Sequence, residues 1–357
     1  MVFLPKPNTM IITPALSSKI GSVDFNNLVF GTTFTDHMLI CSYKNGAWQT
    51  PEIKPYQPLS FSLSLHALHY GQAAFEGMKA YRQKDGVVAL FRPEKNWERL
   101  NRSADRLLMP AVPKSVFMDG LVELMKLDAA WVPNDPDMSL YIRPFIFSSS
   151  EFIAARPSEA YTFAIICSPV AAYYASPVKV KIERNFSRSA PGGIGFTKAA
   201  GNYGGAFYPT QKAKDEGYMQ VIWTDPVAHE YIEESGTMNV MFVIDDKMVT
   251  PELSDRILAG ITRDSILKLG REWGLTVEER KVSVSEIYAA AKSGSLKEVF
   301  GMGTAAVVSS ICGIGFDNEL IDIPLPENGL SKRIKSSLSA IRLGNAPDTH
   351  NWMLRVE

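Results

Sequence analysis

Apolar and polar positions fall into a regular pattern only after about thirty residues of scattered Pro and Ser, which predict an irregular lead-in. From Val29-Phe30-Gly31 onward the pattern is strand-like. Asn45-Gly46 and Asp85-Gly86 predict hairpin turns, since such dipeptides accept the left-handed backbone of a tight loop. A β-rich run covers 87–92. The period then changes: Trp97, Leu100, Ala104, Leu107 and Leu108 recur at helical spacing over 93–109, with Arg99, Arg102 and Arg106 on the polar side. A second amphipathic helix is predicted over 115–131 and is stopped by Pro133-Asn134-Asp135-Pro136. Strands are predicted at 140–147, carrying Tyr141 and Arg143, and at 161–170. Hairpins followed by helices predict an α+β first domain.

Periodicity is lost over 169–177, which reads as an interdomain connection. Beyond it the pattern predicts a strand at 178–184, a helix at 203–215 closed by Gly217, and a buried strand at 218–224. Strands around 231–234, 238–244 and 247–250 precede a helix at 261–273 closed by Gly274. A strand follows at 276–282, and Ser283-Val284-Ser285-Glu286 has the form of a capping box for the next helix. A small-residue β region at 298–316 and a helix at 330–343 complete the chain. The division expected is a small N-terminal α+β domain (1–170), an interdomain loop (171–180) and a larger domain (181–357) mixing α+β and α/β character.

Length agrees with two domains, because a single core stops growing below 357 residues. A net charge of −1 leaves no electrostatic footprint for nucleic acid or an anionic membrane surface. Cys41, Cys167 and Cys312 are odd in number and far apart, which fits a reducing compartment and not a disulfide framework. No apolar run approaches the roughly 20 residues of a membrane helix. The start, Met1-Val2-Phe3-Leu4-Pro5-Lys6-Pro7, lacks the form of a signal peptide, so a soluble, cytoplasmic protein is expected.

The stretch with most chemistry is Gly195-Phe196-Thr197-Lys198-Ala199-Ala200-Gly201-Asn202-Tyr203-Gly204-Gly205. One lysine stands among small, uncharged residues, and desolvation favours the neutral, nucleophilic amine that forms Schiff bases. Glu234 precedes a Ser-Gly-Thr turn among apolar strands, and a buried carboxylate needs a partner. That partner is either a structural Lys or Arg or the ring nitrogen of a cofactor. Gly260-Ile261-Thr262 opens a helix whose first-turn amides suit a phosphate, although such residues are also ordinary caps. Gly301-Met302-Gly303-Thr304-Ala305-Ala306 superficially matches a dinucleotide fingerprint, but the residues after it look like a strand. A tight turn offering N–H groups to an anion is the reading preferred. His66 and His69 lack accompanying ligands, so no metal is expected.

Taken in order, the glycine-flanked lysine, Asn202-Tyr203-Gly204-Gly205, Glu234-Ser235-Gly236-Thr237-Met238-Asn239, Gly260-Ile261-Thr262-Arg263 and Gly301-Met302-Gly303-Thr304-Ala305 strongly resemble the fold-type IV pyridoxal-phosphate aminotransferases. Within that D-amino-acid-aminotransferase-like fold, the similarity is greatest to the branched-chain amino-acid aminotransferases. Phe75-Glu76-Gly77-Met78-Lys79-Ala80, Phe91-Arg92-Pro93 and Ser139-Leu140-Tyr141-Ile142-Arg143-Pro144 agree, and the resemblance runs from about 28 to the end.

The resemblance implies that Lys198 carries pyridoxal 5′-phosphate as a Schiff base and moves the substrate proton. It implies that Tyr203 bonds the phenolic oxygen and Glu234 the pyridine nitrogen. Arg99, the amides of Ile261 and Thr262, and Thr304 would take the phosphate. Ala305 and Ala306 would offer N–H groups to the substrate α-carboxylate. Phe30, Tyr70, Phe75, Tyr173 and Thr237 would line an apolar side-chain pocket. Tyr70, Arg143 and Lys79 are the candidates for the polar group that engages the γ-carboxylate of glutamate, and by resemblance Tyr141 would approach from the partner of a homodimer. The activity implied is transfer of amino groups between L-leucine, L-isoleucine or L-valine and 2-oxoglutarate. The alternatives are a D-amino-acid aminotransferase, a 4-amino-4-deoxychorismate lyase, a nicotinamide-dependent oxidoreductase using the 301–306 turn, and a non-catalytic member. The Cys-x-x-Cys redox pair of some eukaryotic members is replaced here by Ala306 and Ser309.

Overall fold

The computed structural model describes residues 10–171, 176–305, 307–317 and 319–357. They form two compact units. The first holds the described residues up to 171 together with Lys198–Ala200 and Ala340–Glu357, and the second holds 176–197 and Gly201–Ser339.

In the first unit a ten-stranded sheet runs in the order Ile11–Ile12, Glu52–Pro55, His37–Lys44, Tyr161–Val170, Ser139–Ser148, Met78–Arg82, Val88–Phe91, Met353–Val356 among the described residues. Ala47–Trp48 and Ala73–Phe75 pair alongside this path. Except for Ile11–Ile12 on Glu52–Pro55, the pairs are antiparallel. Asn45-Gly46 makes the expected turn, with φ of 52° and 77°. Helix Pro93–Arg106 follows with proline at its start, where the missing N–H costs nothing. Its buried side includes Arg99, Leu100, Ser103 and Ala104. Leu100, Ala104, Phe117, Leu121 and Trp131 share one core with Leu39, Ile53, Leu90 and Ile142 from the sheet. Burial of each large side chain contributes about 1.5–3 kcal/mol.

Local detail departs from simple periodicity. The 115–131 helix is a π turn, Ser115–Asp119, then helix Gly120–Leu127 and a 3₁₀ turn, Ala129–Trp131. His66–Tyr70 is a helix of five residues, too short to leave a periodic signature. Phe145 and Phe147 lie half-buried, because the core face of Ser139–Ser148 belongs to Leu140, Ile142 and Ile146. Alternation along that strand puts Tyr141, Arg143, Phe145 and Phe147 together on its other face.

The second unit has a nine-stranded sheet among its described residues. Its order is Ile232–Ser235, Gln220–Thr224, Val178–Ile182, Val307–Phe316, Leu296–Gly303, Asn239–Ile244, Lys247–Pro251, Thr276–Arg280, with Glu319–Asp322 beside Val307–Phe316. Val178–Ile182 is parallel to both neighbours, so the mixed α/β and α+β character holds. Ser283 caps helix Val284–Ser293 by accepting from the Glu286 amide at 3.1 Å, as its sequence predicts. The predicted 203–215 helix is instead two, Ala200–Gly204 and Phe207–Asp215, since Gly204-Gly205 weakens helix continuation.

The units differ from the division at 171–180 in two places. Met353–Val356 pairs with Val88–Phe91, which draws the C-terminus into the first unit. Lys198–Ala200 goes with it because Ala199 bridges Ala74 and the Phe75 amide donates to the Lys198 carbonyl at 3.0 Å.

Candidate active site

In the first unit the backbone of Lys198 is held from both sides. Its carbonyl takes the Phe75 amide, and its own N–H donates to Ser103 Oγ at 2.9 Å. Ser103 is buried on helix Pro93–Arg106 and in turn donates to the Arg99 carbonyl, one turn back. The side chain follows: Lys198 Nζ lies 4.9 Å from the centre of the Phe75 ring. Arg99 is fixed by Glu76, with Nε to Oε1 at 2.7 Å and Nη2 to Oε2 at 2.8 Å. Asn96 adds a bond to Glu76 Oε2 at 2.7 Å. Burial alone would push the Glu76 carboxyl up, but the Arg99 charge and hydrogen bonds, with Lys198 and Asn96, hold it below the usual carboxylate range.

The Phe75 ring also receives Arg143, whose guanidinium carbon is 4.5 Å from its centre. Arg143 Nη2 donates to the Tyr141 hydroxyl at 3.1 Å, and its buried Nε has no hydrogen-bond partner. Tyr141 meets the Phe30 ring edge-on at 5.0 Å and lies opposite Lys79 in the sheet. The structure therefore brings Lys198, Phe75, Arg143, Tyr141, Phe30 and Lys79 into one neighbourhood of a single chain. The i, i+2 spacing puts Tyr141 on the same strand face as Arg143. The Tyr70 hydroxyl donates to the Ile153 carbonyl.

In the second unit, consecutive buried glutamates point to opposite faces of strand Ile232–Ser235. Glu233 pairs with Arg256, and burial nonetheless pushes its carboxyl up. Glu234 Oε2 faces Arg188 at 3.0 Å, while Oε1 accepts from Asn239 Nδ2 at 3.0 Å and the Leu258 amide at 3.2 Å. Glu234, Arg188, Tyr203 and Thr237 line one narrow cleft with Asn202, Ala206, Gly236 and Leu258. Arg188 also donates to the carbonyls of Gly195 and Arg256, and Asn202 Nδ2 closes the glycine-rich loop onto the carbonyls of Ile194 and Thr197.

Ile261 and Thr262 begin helix Ile261–Glu272, so their amides belong to its anion-favouring end. Thr304 and Ala305 form the turn between antiparallel strands Leu296–Gly303 and Val307–Phe316. That hairpin rules out the dinucleotide fingerprint, which needs a helix there. Gly301 is small for packing: a Cβ would lie 2.5 Å from Met238 Cε. Val307 has φ of 61°, unusual for a β-branched residue, and such strain concentrates at functional turns. Tyr173 and Ala306 lie outside the described residues.

Sequence reasoning missed Ser103, Arg188 and the pairing of Glu76 with Arg99. Nothing local marks Ser103 or Arg188, because their partners are distant in sequence. The residues present fit a phosphorylated pyridine cofactor: the first unit has a lysine beside an aromatic ring, and the second has a buried acid in a cleft and a helix start whose amides suit an anion. Among the described residues no three His, Cys, Asp or Glu cluster as a metal site.

Such parts are those that an enzyme working on amino and carbonyl groups through a lysine amine would need. The family model for class IV amino-transferases matches residues 73–314, and the chain belongs to that family. It is 42% identical to branched-chain-amino-acid transaminase 1 of Bacillus subtilis, over 93% of this chain and 95% of that one. The crystal structure of branched-chain amino acid aminotransferase from Escherichia coli aligns with a TM-score of 0.73 at 27% identity, covering 90% and 99% of the two chains. The T.th. branched-chain amino acid aminotransferase with pyridoxamine 5′-phosphate aligns with a TM-score of 0.71 at 22% identity, covering 89% and 98%.

Proposed function

We propose that this protein is a branched-chain amino-acid aminotransferase that uses pyridoxal 5′-phosphate. It moves the amino group of L-leucine, L-isoleucine or L-valine to 2-oxoglutarate, giving 2-oxo acids and L-glutamate. The observation that carries this reading is Lys198, stitched by its backbone to Phe75 and Ser103, in a chain that matches such enzymes over nearly its full length. When bound, the cofactor supplies an electrophilic carbonyl and a ring that accepts electron density from the substrate Cα. Lys198 is its attachment point, and the Lys198 Nζ moves the proton at the substrate Cα. Tyr203 bonds the phenolic oxygen, and Glu234 holds a proton on the ring nitrogen. Each unit carries its own phosphate contacts by resemblance: Arg99, oriented by Glu76, in the first, and the Ile261 and Thr262 amides with Thr304 in the second. The Ala305 amide seats the α-carboxylate, and Ala306 shares that role by resemblance alone. Phe30 and Phe75 in the first unit, and Thr237 in the second, are apolar side-chain contacts by resemblance, as is Tyr173.

One pocket must accept both an apolar side chain and a γ-carboxylate. The partnerless Nε of Arg143, above Phe75, supports this arginine as the group that engages only the acid. Steady-state assays of wild type and Arg143→Met with L-leucine, D-leucine and L-glutamate test the assignment. Wild type should turn over L-leucine and not D-leucine. The substitution should raise KM for glutamate roughly 10-fold or more, with little change for leucine. Turnover of D-leucine alone would favour the D-amino-acid enzyme, and equal losses for both L-substrates would defeat the role of Arg143.

A two-fold homodimer is part of the same reading. Leu63, Leu68 and Ile153 are 88%, 66% and 66% exposed. The segments bearing them are joined by the Leu65–Glu151 bridge and the Tyr70–Ile153 hydrogen bond. Such an apolar patch supports a contact surface. Phe152, next to Ile153, packs instead against the His66 ring and beside the Arg156 guanidinium. Leu68→Asp with Ile153→Asp should therefore weaken association and activity together in sedimentation and rate measurements. Full activity in a monomeric species would rule the dimer requirement out. Among the described residues no helix is long and apolar enough to cross a membrane, and a cytoplasmic location is the reading adopted.

A further inference from the structure

We propose that Asn239 is a positioning residue that fixes the spacing between Glu234 and the start of helix Ile261–Glu272, so that the second unit gauges the length of the ligand it holds. This rests on the reading of Glu234 as the ring-nitrogen contact and of the helix start as a phosphate contact.

Asn239 is 5% exposed and opens strand Asn239–Ile244, where it pairs with Met302. Its Nδ2 donates to Glu234 Oε1 at 3.0 Å and to the Leu258 carbonyl at 2.9 Å. The Leu258 amide returns to the same Glu234 oxygen at 3.2 Å. Both donor hydrogens of one planar amide are thus committed, and the side chain cannot rotate without leaving a buried group unpaired. The amide is also wedged from the far side. A Cβ on Gly260 would lie 2.0 Å from Asn239 Oδ1, closer than any real contact. Gly260 is the helix cap, and its carbonyl takes the first α-helical bond, from the Asp264 amide at 3.0 Å. Leu258, Ala259 and Gly260 are therefore a three-residue strap. One end is tied to the buried carboxylate, the other begins the helix, and Asn239 is seated against both. A ligand that meets Glu234 with one end and the helix amides with the other must match that span. Preorganising the span removes the cost of ordering it on binding.

Equilibrium binding to the cofactor-free chain tests this with three probes: pyridoxal 5′-phosphate, pyridoxal and inorganic phosphate. For Asn239→Ala, affinity for the intact cofactor should fall ~10- to 100-fold, while the two fragments change less than about 3-fold each. Gly260→Ala, which keeps the amide but displaces it, should give the same pattern, and it keeps the test decisive if Asn239→Ala fails to fold. A residue that merely supports the fold would weaken whole and fragments alike, and that result overturns the proposal. So does unchanged cofactor affinity in both variants. If the wild-type chain binds no pyridoxal 5′-phosphate, the functional reading itself falls, and the gauge with it.

Discussion

Replacement of Lys198 by alanine is expected to lower transamination by at least ~100- to 10,000-fold, the usual range for removal of a positioned proton-transfer group, and further because the same amine attaches the cofactor. The fold should survive. The contacts that seat this residue use its backbone: the N–H goes to Ser103 Oγ and the carbonyl takes the Phe75 amide, and alanine preserves both. The Arg99–Glu76 pair is made without the lysine, so phosphate anchoring should persist and cofactor should still bind without the covalent link. Single-turnover rates with L-leucine, read beside circular dichroism of the variant, check this. A variant that kept even a tenth of wild-type activity would require another lysine as the attachment point.

Glu76→Ala should be the most damaging change to stability, costing about 3–5 kcal/mol, because it strands the Arg99 charge in a buried site. Urea unfolding of the first unit near neutral pH would measure it, and a loss under ~0.5 kcal/mol would show that Arg99 finds another partner. The pH dependence has a definite sign. The folded-state carboxyl titrates below its ordinary value of 4.5, despite burial, because Arg99 favours the ionised form. Its stabilisation is therefore complete above the unfolded value and is lost as pH falls from about 4.5 through the depressed folded value. Glu76→Gln, with no charge to lose, should unfold with a flatter pH profile across that acid range. A wild-type profile equally flat there would contradict the pairing.

Much of this protein was legible from pattern and spacing. Hairpin turns at Asn45-Gly46, the capping box at Ser283, the helix that carries Arg99 and the strand after Thr304 are local matters, decided by left-handed turns, caps and periodicity. The order of motifs around Lys198, Tyr203, Glu234 and Thr304 identified the class, because each spans few residues and needs its own residue types. What the sequence could not decide are pairings between distant positions. Glu76 finds Arg99 because a strand and a helix pack together, Arg188 finds Glu234 from a separate loop, and Asn239 reaches Leu258 from the next strand. Strand alternation likewise decided that Tyr141 and Arg143 share a face while Phe145 and Phe147 leave the core. Hydrogen bonds and ion pairs act over about 3 Å, so which buried charges meet depends on how the elements pack and not on how far apart they lie along the chain.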